Sequence, residues 1–162
     1  MIEPHPVIFQ NLISTNFSTT NCTLFFYNIA LSNKNKFQNL YYKNDKNQIN
    51  GGAALIKKIN SNTELFDKVE TVSASNFITR LNKNIDLMYM DIEGSEYKVL
   101  NNLIYNKKIH NISNIFFESH ERKLRIVDKI FYLLAKYIAL YKLKFFFNIR
   151  KVEQNHYILN RK

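Results

Sequence analysis

Apolar residues fall along this chain in short runs whose spacing alternates between the period of strands and that of helices. Ile8, Phe9, Leu12 and Ile13 recur at helical spacing. Pro6 stands where a first helical turn tolerates its missing N–H, which predicts a helix over about 6–16. Thr23 to Leu31 and the aromatic-rich Phe37 to Lys43 read as strands joined by the turn-like Ser32 to Lys36. From Asn44 to Asn62 the chain is polar, with a brief apolar interlude at Ala53 to Ile59, and is expected to be a mobile surface segment. Val69 to Val72 predicts a short strand. Ser73 or Ser75 caps the helix that follows, with Phe77, Ile78 and Leu81 on its apolar face.

Ile85 to Ile92 is a further strand, apolar enough to suit burial on both faces of a parallel sheet. Gly94 ends it, and Tyr97, Val99, Leu100, Leu103 and Ile104 mark a helix of about ten residues. Ile112 to Glu118 is another buried strand. Leu124 to Tyr141 is the longest helix, with Val127, Ile130, Phe131, Leu134, Ile138 and Tyr141 as its apolar side. Leu143 to Arg150 and His156 to Asn160 are close enough in sequence to pair antiparallel. The alternation predicts a single α/β domain over 1–162, with a largely parallel sheet ending in an antiparallel hairpin.

Composition refines this picture. A hydrophobic fraction of 46% excludes a disordered chain. The net charge of +10 points on its face to a nucleic-acid partner, but 18 of the 23 basic residues are Lys. They accompany 23 Asn and 19 Ile, against only 16 Gly, Ala, Arg and Pro together, the skew that an AT-rich genome writes. That skew argues against a dedicated nucleic-acid binder. Cys22 is alone and forms no internal disulfide, and Met1 leads into no secretory pattern, so a cytoplasmic location is expected. Ile130 to Phe147 is interrupted by Lys136, Lys142 and Lys144. It falls short of the ~20 residues of a membrane span, and reads as a buried or interfacial helix running into a strand.

In an open parallel sheet ligands lie at the carboxyl ends of strands, which draws attention to Glu3, Asn28, Asp91, Glu93, Glu96, Glu118 and His120. Singly each has an ordinary role; Glu96, for instance, is a favourable first-turn helix acid. Together they say more. The segment MDIEGSE, Met90 to Glu96, sets three carboxylates within six residues at a strand end, which is costly unless solvent, a cation or a ligand compensates.

The string Ile85 to Leu103, IDLMYMDIEGSEYKVLNNL, resembles the signature of the FkbM-type methyltransferases. Other pieces fall in that family's order: IEPHP (Ile2 to Pro6), NIALSN (Asn28 to Asn33), ETVSASNFI (Glu70 to Ile78), IFFESHE (Ile115 to Glu121) and the final HYILNRK. The resemblance begins at the family's second strand. The Gly-rich loop of the D-x-G-x-N-x-G kind that follows the family's first strand has no counterpart here, since Gly51 and Gly52 stand elsewhere. Ser73 to Ser75 also replace a segment that is often acidic in the family.

The resemblance implies a Rossmann-like methyltransferase sheet, N-terminally truncated, and S-adenosylmethionine as cofactor. It implies transfer to a small-molecule or glycan hydroxyl, of a sugar or secondary metabolite. Glu3 would hold the cofactor's ribose hydroxyls, as a carboxylate matches a diol, with Asn28 and Ala30 near the adenine. Asp91 and Glu93 would border methyl donor and acceptor, while Glu118 and His120 would face the acceptor. His120 and Asp91 are the candidates for removing the acceptor proton. Without the Gly-rich loop, residues 1–162 alone are expected to bind the cofactor weakly or not at all. Carboxylates and an imidazole at two strand ends also suit a divalent cation, but the spacing is not diagnostic and assigns no metal ligands. Two other readings stay open: a catalytically inactive paralogue serving as an interaction module, and a basic nucleic-acid-binding protein whose surface Lys residues would carry function.

Overall fold

The computed structural model describes residues 1–15, 17, 22–43, 53–56, 64–121, 124–153 and 155–162. Most of the polar 44–62 stretch, with Gly51 and Gly52, lies outside the described residues. Along the chain come α1 (Pro6–Ser14), β1 (Ala30–Ser32), β2 (Lys36–Lys43), β3 (Glu64–Ser73), α2 (Ala74–Leu81), β4 (Ile85–Met90), α3 (Glu96–Tyr105), β5 (Ile112–Glu118), α4 (Ile126–Leu143), β6 (Phe147–Lys151) and β7 (His156–Arg161). A 3-10 turn, Lys108–Asn111, leads into β5.

The expected α/β alternation is present, but the strands form two mixed sheets rather than one largely parallel one. In the first, ordered β1-β3-β2, β1 runs parallel and β2 antiparallel to β3. In the second, ordered β4-β5-β7-β6, only β4 and β5 are parallel, and the C-terminal hairpin forms as the sequence predicted. The main core lies between one face of the second sheet and helices α3 and α4, where Leu100, Leu103, Ile115, Phe117, Leu143 and Leu159 are fully buried. Each such side chain contributes roughly 1.5–3 kcal/mol of burial. Ala30, Leu40 and Val69 make a smaller core in the first sheet.

One amide ties the sheets together through α3. The Asn102 Oδ1 accepts from Ser73 Oγ (3.1 Å) and the Ser75 N–H (2.9 Å), and its Nδ2 donates to the Asn33 carbonyl at 3.3 Å. Ser73 does take the position before α2, but its hydroxyl makes no cap and serves this junction instead.

Several expectations need correction. Strand β4 is not buried on both faces: it stands at the end of its sheet, and Leu87 and Tyr89 are 61% and 64% exposed. Helix α4 is displaced two residues from the expected Leu124 to Tyr141, so that Leu143 ends it and β6 starts only at Phe147, and it buries the other side. Tyr132, Ala139 and Leu143 face the core, while Val127, Ile130, Phe131, Leu134, Ile138 and Tyr141 are between 38% and 68% exposed. Within Thr23 to Leu31 only Ala30 and Leu31 enter a ladder, and Tyr27 makes a lone parallel bridge to Ile2. Strand β3 begins five residues before Val69, because the mixed segment Glu64 to Lys68 also pairs with β2. No helix among the described residues is long and apolar enough to cross a membrane.

Candidate functional site

Parallel pairing of β4 and β5 sets Met90 opposite Phe117, so Asp91 and Glu118 leave neighbouring strands side by side. After Asp91 the chain must reverse into α3, and it does so through two left-handed residues, Glu93 (φ 50°) and Gly94 (φ 105°). Glycine adopts this geometry freely, whereas Glu93 holds it at a cost of roughly 1–2 kcal/mol. A Cβ on Gly94 would also stand 3.1 Å from Leu124 Cδ2, so a larger residue would have to push that side chain aside.

His120 follows β5 by two residues and is anchored at backbone and ring. Its N–H donates to the Tyr132 hydroxyl at 3.0 Å, and its Nδ1 lies 2.8 Å from Glu96 Oε1. The ring is buried, with 3% of the side chain exposed. Its Nε2 faces Glu118 Oε1 at 3.4 Å, Asp91 Oδ1 at 3.5 Å and Glu93 Oε2 at 3.7 Å. One donor atom each from Asp91, Glu118 and His120 lie within 4.8 Å of one another. Glu118 presents its second oxygen to His156 Nε2, at 3.7 Å.

Glu96, read from sequence as a helix-start acid, is wholly buried at the first position of α3. Its carboxylate is matched by three groups: the Gly94 N–H (2.9 Å) and His120 Nδ1 on Oε1, and the Tyr132 hydroxyl (3.0 Å) on Oε2. Ser119 lies 3.1 Å from the Tyr132 hydroxyl and accepts from Tyr97 at 3.3 Å, which extends the network into the core. Burial and the Glu96 charge push the Tyr132 phenol far above its ordinary range, so it remains a donor. Burial raises the Asp91 pKa; nearby His120 opposes this, while Glu93, Glu118 and Glu96 add to it. For His120, burial opposes charging, but the hydrogen bond and charge of Glu96, with Glu93 and Glu118, outweigh it and raise the pKa. Ser119, Tyr132 and the central place of Glu96 were not foreseen, since a Tyr inside an apolar helix gives no signal in the sequence.

The other expected site residues form a separate corner. Met1 to Glu3 pair with Tyr27 through Glu3 N–H to the Tyr27 carbonyl (3.1 Å) and Tyr27 N–H to the Met1 carbonyl (3.0 Å). Glu3 Oε1 accepts the His5 N–H at 2.8 Å, and burial raises its pKa against that bond. Asn28 Nδ2 donates to the carbonyls of Glu3 (2.8 Å) and Pro4 (3.1 Å). Ala30 is buried beside Leu40 and Val69. His5 caps α1, its Nδ1 accepting from the N–H groups of Val7 and Ile8, while its buried Nε2 has no hydrogen-bond partner among the described residues and the ring meets Tyr42 edge-on. The structure thus gathers Asp91, Glu93, Glu96, Glu118 and His120 at one point and Glu3 with Asn28 at another.

A family model described as the methyltransferase FkbM domain matches residues 1–155 of the chain. No curated protein and no solved structure gives a match.

Proposed function

This chain belongs to the FkbM methyltransferase domain family, and from that premise we propose that it methylates a hydroxyl of a sugar or secondary metabolite from S-adenosylmethionine. On this reading residues 1–162 are one domain, and the two sheets are the halves of a Rossmann-like methyltransferase sheet. The observation that carries the reading is the convergence of Asp91, Glu118 and His120 at the carboxyl ends of β4 and β5, where such sheets place their ligands.

Bound S-adenosylmethionine would supply a sulfonium methyl group, transferred as the carbon–sulfur bond breaks and the carbon–oxygen bond forms in line. The chain's own residues have three tasks. Glu3 Oε1 is taken by the His5 N–H, which leaves Oε2 to accept from a ribose hydroxyl, with Asn28 and Ala30 beside the adenine. Glu93 and Glu118 border the acceptor. His120, with Nδ1–H held by Glu96, takes the acceptor proton at Nε2, and the Glu96 charge stabilises the imidazolium formed. Asp91 is the other candidate base. A second reading, a binding module without catalysis, draws on the exposed apolar side of α4.

The test is transfer of labelled methyl from S-adenosylmethionine to a panel of sugars, with cofactor contact followed by ligand-observed NMR at millimolar concentration. Weak cofactor binding and a labelled product are expected, with Asp91→Asn abolishing the product while the circular dichroism spectrum stays native. Neither contact nor product from the natural chain, or full activity in the Asn variant, would sink the reading.

A further inference from the structure

Glu96 fixes which nitrogen of His120 carries a proton. All three donors around Glu96 point into its two oxygens, so Nδ1 carries a proton, and in the neutral ring Nε2 presents a lone pair. That lone pair faces oxygens of Asp91 and Glu118, an arrangement of like partial charges that repels itself unless something positive lies between them.

A proton on Nε2 fits the geometry poorly. An imidazole N–H hydrogen bond to a carboxylate spans about 2.7–3.2 Å, whereas the approaches of Asp91 and Glu118 are 3.5 and 3.4 Å, and Nε2 makes no hydrogen bond among the described residues. Donors placed about 2.1 Å from one ion at tetrahedral angles stand about 3.4 Å apart, which matches the two approaches to Nε2, and all three donor atoms lie within 4.8 Å of one another. The acids alone would be only a cluster of charge. The independent observation is the buried imidazole, 3% exposed, held at Nδ1 by the Glu96 carboxylate and aiming into that cluster an Nε2 that makes no hydrogen bond among the described residues. Metal-binding histidines are held in this manner, with the far ring N–H donated to a carboxylate.

We propose that Asp91, Glu118 and His120 bind one divalent transition-metal cation of the Mn²⁺ or Zn²⁺ class, with Glu96 as the orienting carboxylate. One imidazole nitrogen with carboxylate oxygens suits these ions better than Mg²⁺ or Ca²⁺, which favour an all-oxygen shell. Asp91 is 45% and Glu118 31% exposed in their side chains, so the cation would be reached from solvent and keep an open position. A hydroxyl taking that position would lose its proton more readily, and Nε2, then a ligand, would not be the proton acceptor it is in the cation-free reading. This last role rests on the proposed methyl transfer; the binding does not.

Co²⁺ serves as the probe because its visible absorption reports both binding and coordination number. Titrating it into the full chain after chelator treatment, with no cofactor present, is expected to saturate at one equivalent. The intense band of a four- or five-coordinate ion should appear and be bleached by Zn²⁺. Asp91→Asn with Glu118→Gln should weaken affinity at least about tenfold, the scale seen when metal-site carboxylates are altered. Asp86→Asn, an exposed acid at the opposite end of β4, should leave it unchanged. No absorption up to millimolar Co²⁺ from chain with a native circular dichroism spectrum would overturn the proposal, as would equal affinity in the double variant. A chain that binds Co²⁺ but neither contacts S-adenosylmethionine nor yields methylated product would refute the proposed function alone, and the reverse result would refute the cation site alone.

Discussion

The corner around Glu3 and the cluster around His120 use the same residue types at the ends of strands, yet they do different work. At Glu3, polar groups turn back on their own backbone: the carboxylate takes the His5 N–H, Asn28 holds the carbonyls of residues 3 and 4, and His5 caps α1. At His120 the backbone demands are met from elsewhere, by Tyr132 on α4, and Asp91 and Glu118 each turn one carboxylate oxygen toward the His120 Nε2. The role of a strand-end acid therefore depends on what remains of its bonding capacity once the local chain is satisfied.

Three substitutions break or sharpen that contrast. The largest effect is expected from Glu96→Ala, which strands His120 and Tyr132 in a buried site and should cost about 3–5 kcal/mol in urea unfolding. A cost under about 1 kcal/mol would show that the cluster is not an integrated network. Gly94→Ala comes next at about 1–3 kcal/mol, since the added Cβ meets Leu124 while φ stays at 105°. Its melting temperature measures this, and a neutral result would mean that the turn relaxes without strain. Asn28→Ala should cost only about 1 kcal/mol, because the amide is exposed and its two acceptors can turn to water. A loss as large as that at Glu96 would erase the distinction between the two regions.

The sequence announced some of this well and some not at all. Strand β5 has the predicted limits, Ile112 to Glu118, because a compact apolar run between polar turns has one reading. The acids and His120 were legible because strand order alone brings the ends of β4 and β5 together. The buried side of α4 was not legible. Its residues are apolar nearly all round, so periodicity offers no preference, and packing selects the Tyr132, Ala139 and Leu143 side. Exposure along β4 was equally hidden, since an apolar strand reads alike with one neighbour or two. Glu96 was visible as a residue but not as a centre: its partner Tyr132 lies 36 positions away.

The uncovered side of α4 has a thermodynamic consequence. Heat-capacity change on unfolding follows newly wetted apolar surface, and a 162-residue chain would ordinarily show about 2 kcal/mol/K. Here Val127, Ile130, Phe131 and Leu134 already meet solvent in the native state, as do Leu87 and Tyr89 on β4, so unfolding adds less apolar surface than length alone implies. The chain's stability curve should accordingly be flatter than its size suggests, with a low denaturant slope and a weak dependence of unfolding enthalpy on temperature.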